Sequence, residues 1–493
     1  MDLEHPQDCT LAEMRDALAE GSVSARELLE IHLARIDALD EKYNTVLTLN
    51  PEAAAIADRL DTARASGKAL APLHGIPVLV KDNLDTGDSM ATTAGSLALA
   101  DTHARADSTV VRRLREAGVV LLGKTNLSEW ANFRSTRSSS GWSSLGGQTR
   151  NAYDCARSPG GSSSGSGAAV ALGFCAGAIG TETDGSIVSP AAMNGIVGIK
   201  PSVGLVSRAG IIPISASQDT AGPMTRSVRD GVIVLSVIAG ADARDSATAA
   251  AGITFSNLEA SLDVFSLQRT RLGVARAYAG YHDRVDALLD DALDALLEAG
   301  AVIIDPVELP AVDAIREHER IVMEYEFKHG LNAYLAERDA QTPVRALADV
   351  IAFNDAHASA VMPYFGQDIH HGAEARGPLT DAAYLKARKQ SLELAARDGV
   401  DAALAAHRLD ALIAPTTSPA WLIDWLCGDN RKGSAACAPA VCGYPHVTVP
   451  MGFVEHLPVG LSIFSGAFRD CEVLRVAHAF ESVTGHRRAP PMT

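Results

Sequence analysis

The segment from Ser158 to Ala191, S-P-G-G-S-S-S-G-S-G-A-A-V-A-L-G-F-C-A-G-A-I-G-T-E-T-D-G-S-I-V-S-P-A, constrains this chain more than any other. A glycine- and serine-rich loop runs from Pro159 to Gly167. A small-residue apolar segment follows from Ala168 to Ile179, and a second glycine and hydroxyl turn runs from Gly180 to Ser186. If the apolar segment is a helix packed against its own flanking turns, the two hydroxyl loops meet and frame a site. Ser186 is the candidate nucleophile. A serine needs a base to take its proton. The turn Thr183-Asp184-Gly185-Ser186 can aim consecutive backbone N–H groups at one point, as an oxyanion hole requires. Gly185 puts no Cβ in the way of a substrate. No histidine stands nearby, and the 15 in the chain are scattered outside any triad context.

A base is found upstream, in Leu73-His74-Gly75-Ile76-Pro77-Val78-Leu79-Val80-Lys81-Asp82-Asn83. Val78 to Val80 read as a short buried strand. Lys81 ends it, where desolvation can lower an ammonium pKa enough to yield a neutral general base. Lys124 is the rival, and Lys200 reads as structural.

Two motifs compete with this reading. Gly118 to Thr125 spells G-x-x-x-x-G-K-T, but a phosphate loop must follow a strand and open a helix. Here Val119 to Leu122 is itself the expected strand, ending at Lys124, with Thr125 to Glu129 starting a helix. Gly161 to Gly165 fits G-x-S-x-G, yet a nucleophile elbow needs a preceding strand, and 151–160 reads as loop. Ser163 is therefore a hydrogen-bonding neighbour of the site, beside Gly161.

The pairing of G-I-P-x-x-x-K-D-N with G-G-S-S and G-T-x-T-x-G-S-I resembles the amidase signature family. The resemblance implies a Ser-cis-Ser-Lys triad for hydrolysis of carboxylic amides through an acyl-enzyme. Lys81 matches the lysine, Ser162 the bridging serine after a cis peptide bond, and Ser186 the nucleophile. The backbone of Thr183, Asp184, Gly185 and Ser186 matches the oxyanion hole. Two departures, Ser164 and Asp184 at positions where many members carry glycine, also occur in the peptide amidase branch, which this chain resembles over most of its length. The resemblance implies C-terminal peptide amides as substrates, with no metal and no organic cofactor. The glutamine-hydrolysing component of a tRNA-dependent amidotransferase, or an aliphatic or aryl amidase, is the alternative. The implied fold is an α/β/α sandwich around a large mixed sheet.

Composition bounds the remaining classes. The 493 residues are 47% hydrophobic and 21% charged, as in a globular chain. A net charge of −17 without a basic run argues against a nucleic-acid partner. No apolar run reaches the roughly 18 residues of a membrane span, so no membrane partner is expected. Met1 to Thr10 is too polar for a signal peptide. Seven cysteines, an odd number without C-x-x-C, predict reduced thiols in a cytoplasmic chain; a Cys437–Cys442 bridge is not expected. The partner is a small-molecule or peptide amide, and the assembly a monomer or homodimer.

Along the chain, Ser24 to Glu27 is a capping box opening a helix through Leu28, Leu29, Ile31, Leu33 and Ile36. Further helices are expected over 53–65, 108–117, 227–238, 285–298 and 471–484. Strands are expected over 196–199, 272–275, 302–304 and 409–415, with a closing pair at 441–450 and 458–464. Residues 210–213 and 217–224 read as loops and resemble segments that wall the site in the amidase signature family, and 321–396 reads as mostly helical. No repeat or composition break appears, so the expectation is one domain over 1–493. Its core lies at about 70–240 and 405–485 and its helical cover at about 310–400. Three other classes remain open: a binding protein that kept the fold, a nucleotide-binding protein using Lys124, and a Ser-His-Asp hydrolase.

Overall fold

Thr10 with Glu13, and Ser24 with Glu27, each close a capping box, opening the helices Leu11–Glu20 and Ala25–Tyr43. Reciprocal side-chain and backbone bonds satisfy N–H groups that a helix start leaves bare. These helices lead into the sheet that organises the molecule. The computed structural model describes residues 4–250, 255, 257–338, 342 and 344–491.

The strands are β1 Val46–Leu49, β2 Pro77–Lys81, β3 Val120–Thr125, β4 Trp142–Ser143, β5 Gly147–Gln148, β6 Gly177–Glu182, β7 Val197–Lys200, β8 Thr220–Thr225, β9 Arg271–Val274, β10 Val302–Ile304, β11 Ala411–Pro415, β12 His446–Val454 and β13 Leu457–Phe464. All but the β4–β5 ribbon form one mixed sheet, in the order β1-β3-β2-β6-β8-β7-β12-β13-β11-β9-β10. The strands β2, β3 and β6 are parallel. The unit β9–helix Asp283–Glu298–β10 is the expected βαβ crossover, with its strands parallel. Both faces are covered by helices, and β2, β6, β7, β8, β11 and β13 are buried throughout. This is the expected α/β/α sandwich.

Parallel pairing fixes the site. Val80 lies opposite Ile179, so the C-terminal ends of β2 and β6 deliver Lys81 and the Thr181–Ser186 segment to the same edge. Ligands gather at the carboxyl ends of parallel strands in open α/β sheets.

Four local expectations are corrected. Residues 168–179 are not one helix. The helix starts earlier and spans Ser164–Leu172, and Gly173, at φ +74°, ends it with its N–H on Ala169 O and Val170 O. The chain then turns into β6, whose small residues pair with β2 and β8. Residues 217–224 are not all loop, because Thr220–Thr225 is β8, between β6 and β7. Gly222 and Pro223 mimic a turn, yet they pair with Gly180 and Ile179 of β6. A Cβ on Gly222 would lie 2.0 Å from Ile199 O. Gly222→Ala should therefore cost about 3 kcal/mol through strand displacement, read as a lower urea midpoint. Lys124 is inside β3 rather than at its end. After it comes a short 3₁₀ turn, Glu129–Asn132, with Trp130, Ala131 and Asn132 left-handed, not an α-helix from Thr125. Finally, 437–442 is helical and the closing strand starts at His446.

The region 321–396 is helical as expected, with helices Val312–Ala336, Leu347–Ala356, Asp368–Glu374 and Ala382–Leu392. Glu326 of the first accepts bonds from Ser215 Oγ at 2.6 Å and Ser217 N at 3.0 Å, holding it to the loop before β8. Cys437 and Cys442 form no disulfide. Among the described residues no helix is long and apolar enough to cross a membrane.

Candidate active site

Lys81 is fully buried at the end of β2. Its Nζ donates to Ser162 Oγ at 2.8 Å, Thr181 Oγ1 at 2.9 Å and Thr181 O at 3.2 Å. Burial lowers its pKa to about 7, against the opposing pull of Glu182 and Asp219. A large fraction of this amine is thus neutral near pH 7.

Ser162 follows a cis peptide bond with Gly161. The loop is held tightly here: a Cβ on Gly161 would lie 2.5 Å from Ser128 Oγ and 2.9 Å from Ser140 Oγ. Ser128 N donates to Ser162 O at 3.1 Å. Ser163 stands at the start of the following helix and bonds both backbone groups of Thr181, accepting from N at 3.2 Å and donating to O at 3.1 Å. Ser163 N also donates to Ser186 O at 3.1 Å. The two hydroxyl turns therefore meet, although the link is a helix and a strand rather than a helix alone.

Around Ser186 the backbone donors divide into two sets. Glu182 takes the N–H groups of Ile187 at 2.7 Å and Val188 at 3.0 Å. Among the described residues, those of Asp184, Gly185 and Ser186 have no acceptor. Gly185, at φ +81°, shapes this turn, and a Cβ there would sit 3.3 Å from that of Ala436. Thr183 Oγ1 donates to Asp219 at 2.5 Å, fixing the turn to the loop before β8.

A carboxylate pair backs the turn. Gln218 Nε2 donates to Glu319 Oε1 at 2.8 Å and to Thr183 O at 3.3 Å. Burial and the nearby Asp184 charge raise the Glu319 pKa far above the carboxylate range. The Cys437 thiol donates to Glu319 at 3.6 Å and is itself held protonated by burial. Asp184, Glu319 and Cys437 have the donor types for a cation, within 4.8 Å of one another. The protonated thiol and the neighbouring Arg316 charge instead fit a proton-sharing cluster.

The rival lysines sit elsewhere. Lys124 Nζ donates to Ala91 O and Thr92 Oγ1, both at 2.6 Å, and lies 3.6 Å from Asp82. Lys200 donates to Pro201 O between the charges of Glu182 and Asp470. A cavity of about 210 Å³ reaches Thr181, one of the lysine's two partners. Asn83, Thr181 and Thr183 line its polar side, and Ala131 and Ile212 its apolar side. Asn83 Nδ2 donates to Thr181 Oγ1 at 2.9 Å, so one threonine bridges the K-D-N and G-T-x-T motifs. That bridge, and the Gln218–Glu319 contact, had no signal of their own in the sequence.

The Amidase family model matches residues 27–474. This chain belongs to the amidase family. The family's hydrolysis of amide C–N bonds is accordingly the activity of this chain, which is a hydrolase. A probable amidase of Arabidopsis thaliana is 37% identical, with 98% of this chain and 91% of that protein covered. A component of the glutamyl-tRNA(Gln) amidotransferase of Symbiobacterium thermophilum is 36% identical, with 96% of each covered. The solved structure of native peptide amidase from Stenotrophomonas maltophilia superposes with a TM-score of 0.93 at 48% identity, covering 98% of both chains.

Proposed function

We propose that this amidase hydrolyses the C-terminal carboxamide of peptide amides to the acid and ammonia, using Lys81, Ser162 and Ser186. The observation that carries the reading is the 2.8 Å bond from a fully buried, near-neutral Lys81 to Ser162, on a turn bonded to that of Ser186. Neutral Lys81 takes the Ser162 proton as Ser162 takes that of Ser186. Ser186 Oγ attacks the carbonyl carbon, and the backbone N–H groups of the Thr183–Ser186 turn stabilise the oxyanion, each worth roughly 3–4 kcal/mol. The relay returns a proton to the departing nitrogen, which leaves as ammonia. Water then enters by the reverse route and releases the acid. No step in this relay calls on a metal or an organic cofactor. The whole chain acts as one catalytic unit in this reading, with the helices at about 310–400 as its cover.

The peptide substrate is favoured by the 48% identity to peptide amidase over 98% of both chains. The glutamine-hydrolysing reading draws on the 36% identity to the amidotransferase component. Ammonia release from an amidated dipeptide, glutamine and an aryl amide separates them. A preference for the peptide amide supports the proposal, and cleavage of glutamine alone overturns it.

Thr181 positions the lysine. Thr181→Val removes an acceptor from Lys81 and the partner of Asn83 at nearly constant volume. The expected result is a fall in kcat of about tenfold to a hundredfold with KM little changed, since the lost bond serves proton transfer rather than substrate binding.

A further inference from the structure

A second cavity, of about 230 Å³, is lined by none of the relay residues. Its walls come from the 277–281 segment after β9, the start of helix Val312–Ala336, and residues 431–434. Ser434 is two residues from Ala436, which packs against Gly185. Arg316 is one helical turn before Glu319, the partner of Gln218 behind Thr183.

The groups facing this cavity are donors. Among the described residues, neither the Arg316 nor the Arg431 guanidinium makes a hydrogen bond or an ion pair. Tyr278 is buried to 2% exposure, and its hydroxyl has no partner. The Tyr281 hydroxyl is also buried without one. Burial raises both phenols, so both keep their protons. Ala311 gives the helix no side-chain cap, and among the described residues the N–H groups of Val312 and Asp313 have no acceptor. Bare helix N-termini favour anions. The acidic groups felt by Arg316 are Asp184, Glu319 and Asp313. None of the three comes within 4.0 Å of it as an ion pair. The loop is shaped to close here: a Cβ on Gly433 would lie 2.1 Å from the Tyr281 ring. Buried donors without acceptors are costly, and planar carboxylates are the anions a guanidinium fork fits.

We propose that this cavity binds the carboxylate of an acidic side chain in the peptide substrate, through Arg316, Arg431 and the Tyr278 hydroxyl. The inference rests on the peptide-amide reading and narrows it to peptides carrying Asp or Glu upstream of the cleaved amide.

The test compares kcat/KM for acetyl-Glu-Leu amide and acetyl-Glu-Ala-Leu amide with their Lys counterparts. Taking the Glu-to-Lys ratio within each variant cancels any general loss of activity. The wild type should favour Glu at one of the two spacings by about tenfold or more, as a charged hydrogen bond implies. The ratio should fall towards one in Arg316→Gln and drop partly in Arg431→Gln, a change at an exposed position, and in Tyr278→Phe. A wild-type ratio near one, or a ratio that survives Arg316→Gln with Arg431→Gln, overturns the subsite. If no peptide amide is cleaved while another amide is, the peptide-amide reading fails separately. Calorimetric binding of acetyl-Glu-Leu amide to wild type and the double variant then decides the subsite: weaker binding to the variant upholds it, and equal or absent binding overturns it.

Discussion

Ser186→Ala is expected to leave a folded protein with turnover reduced by about 10⁵- to 10⁶-fold, the scale on which loss of a triad nucleophile acts. The substitution removes one oxygen from a turn already fixed by Glu182, Ser163 and Asp219. The backbone donors of 184–186 should remain in place, so substrate binding should persist while acyl transfer stops. The check is ammonia release under single-turnover conditions beside the unchanged thermal midpoint of the variant. Retention of more than a thousandth of wild-type activity would assign the nucleophile elsewhere.

Lys81→Met is expected to lower kcat by about 10⁴-fold. The double variant Lys81→Met with Ser186→Ala should be no slower than Ser186→Ala alone, since the members act as a unit. The wild-type pH profile follows from the same residue. With its pKa lowered to about 7 by burial, Lys81 is protonated and inactive as a base below that pH, and neutral above it. The kcat/KM should fall about tenfold per pH unit on the acid side of pH 7 and level off above it. A flat profile from pH 5 to 9 would contradict Lys81 as base. So would an acid limb unchanged in the residual activity of Lys81→Met.

Much of this was legible in the sequence because it was local. The Ser24–Glu27 capping box needs only four residues, and the helix starts where the box places it. The place of Lys81 at the end of β2 was readable because a short apolar strand after Gly75-Ile76-Pro77 ends on it. The elements that were misread carry small residues whose meaning depends on neighbours. Gly177 to Glu182 has no alternation because both faces of β6 are buried, so nothing marked where the helix gave way to a strand. Gly222 and Pro223 spell a turn, yet they sit in β8, paired with Gly180 and Ile179 of β6, where a Cβ on Gly222 would meet Ile199 O. The polar network behind the turn was invisible for another reason. Gln218 and Glu319 are 101 positions apart, and neither belongs to a motif; only the fold brings the helix over the loop. Arg316 and Tyr278 were missed likewise.

The most direct test of the proposed relay is an acid-quenched digest of enzyme taken during turnover of a peptide amide, read by fragmentation mass spectrometry. An added acyl mass is expected on the tryptic peptide spanning 158–208, localised to Ser186 and absent from Ser186→Ala. Acyl mass on Ser162, Ser163 or a cysteine, or turnover with no covalent species under conditions that slow deacylation, would contradict Ser186 as the nucleophile.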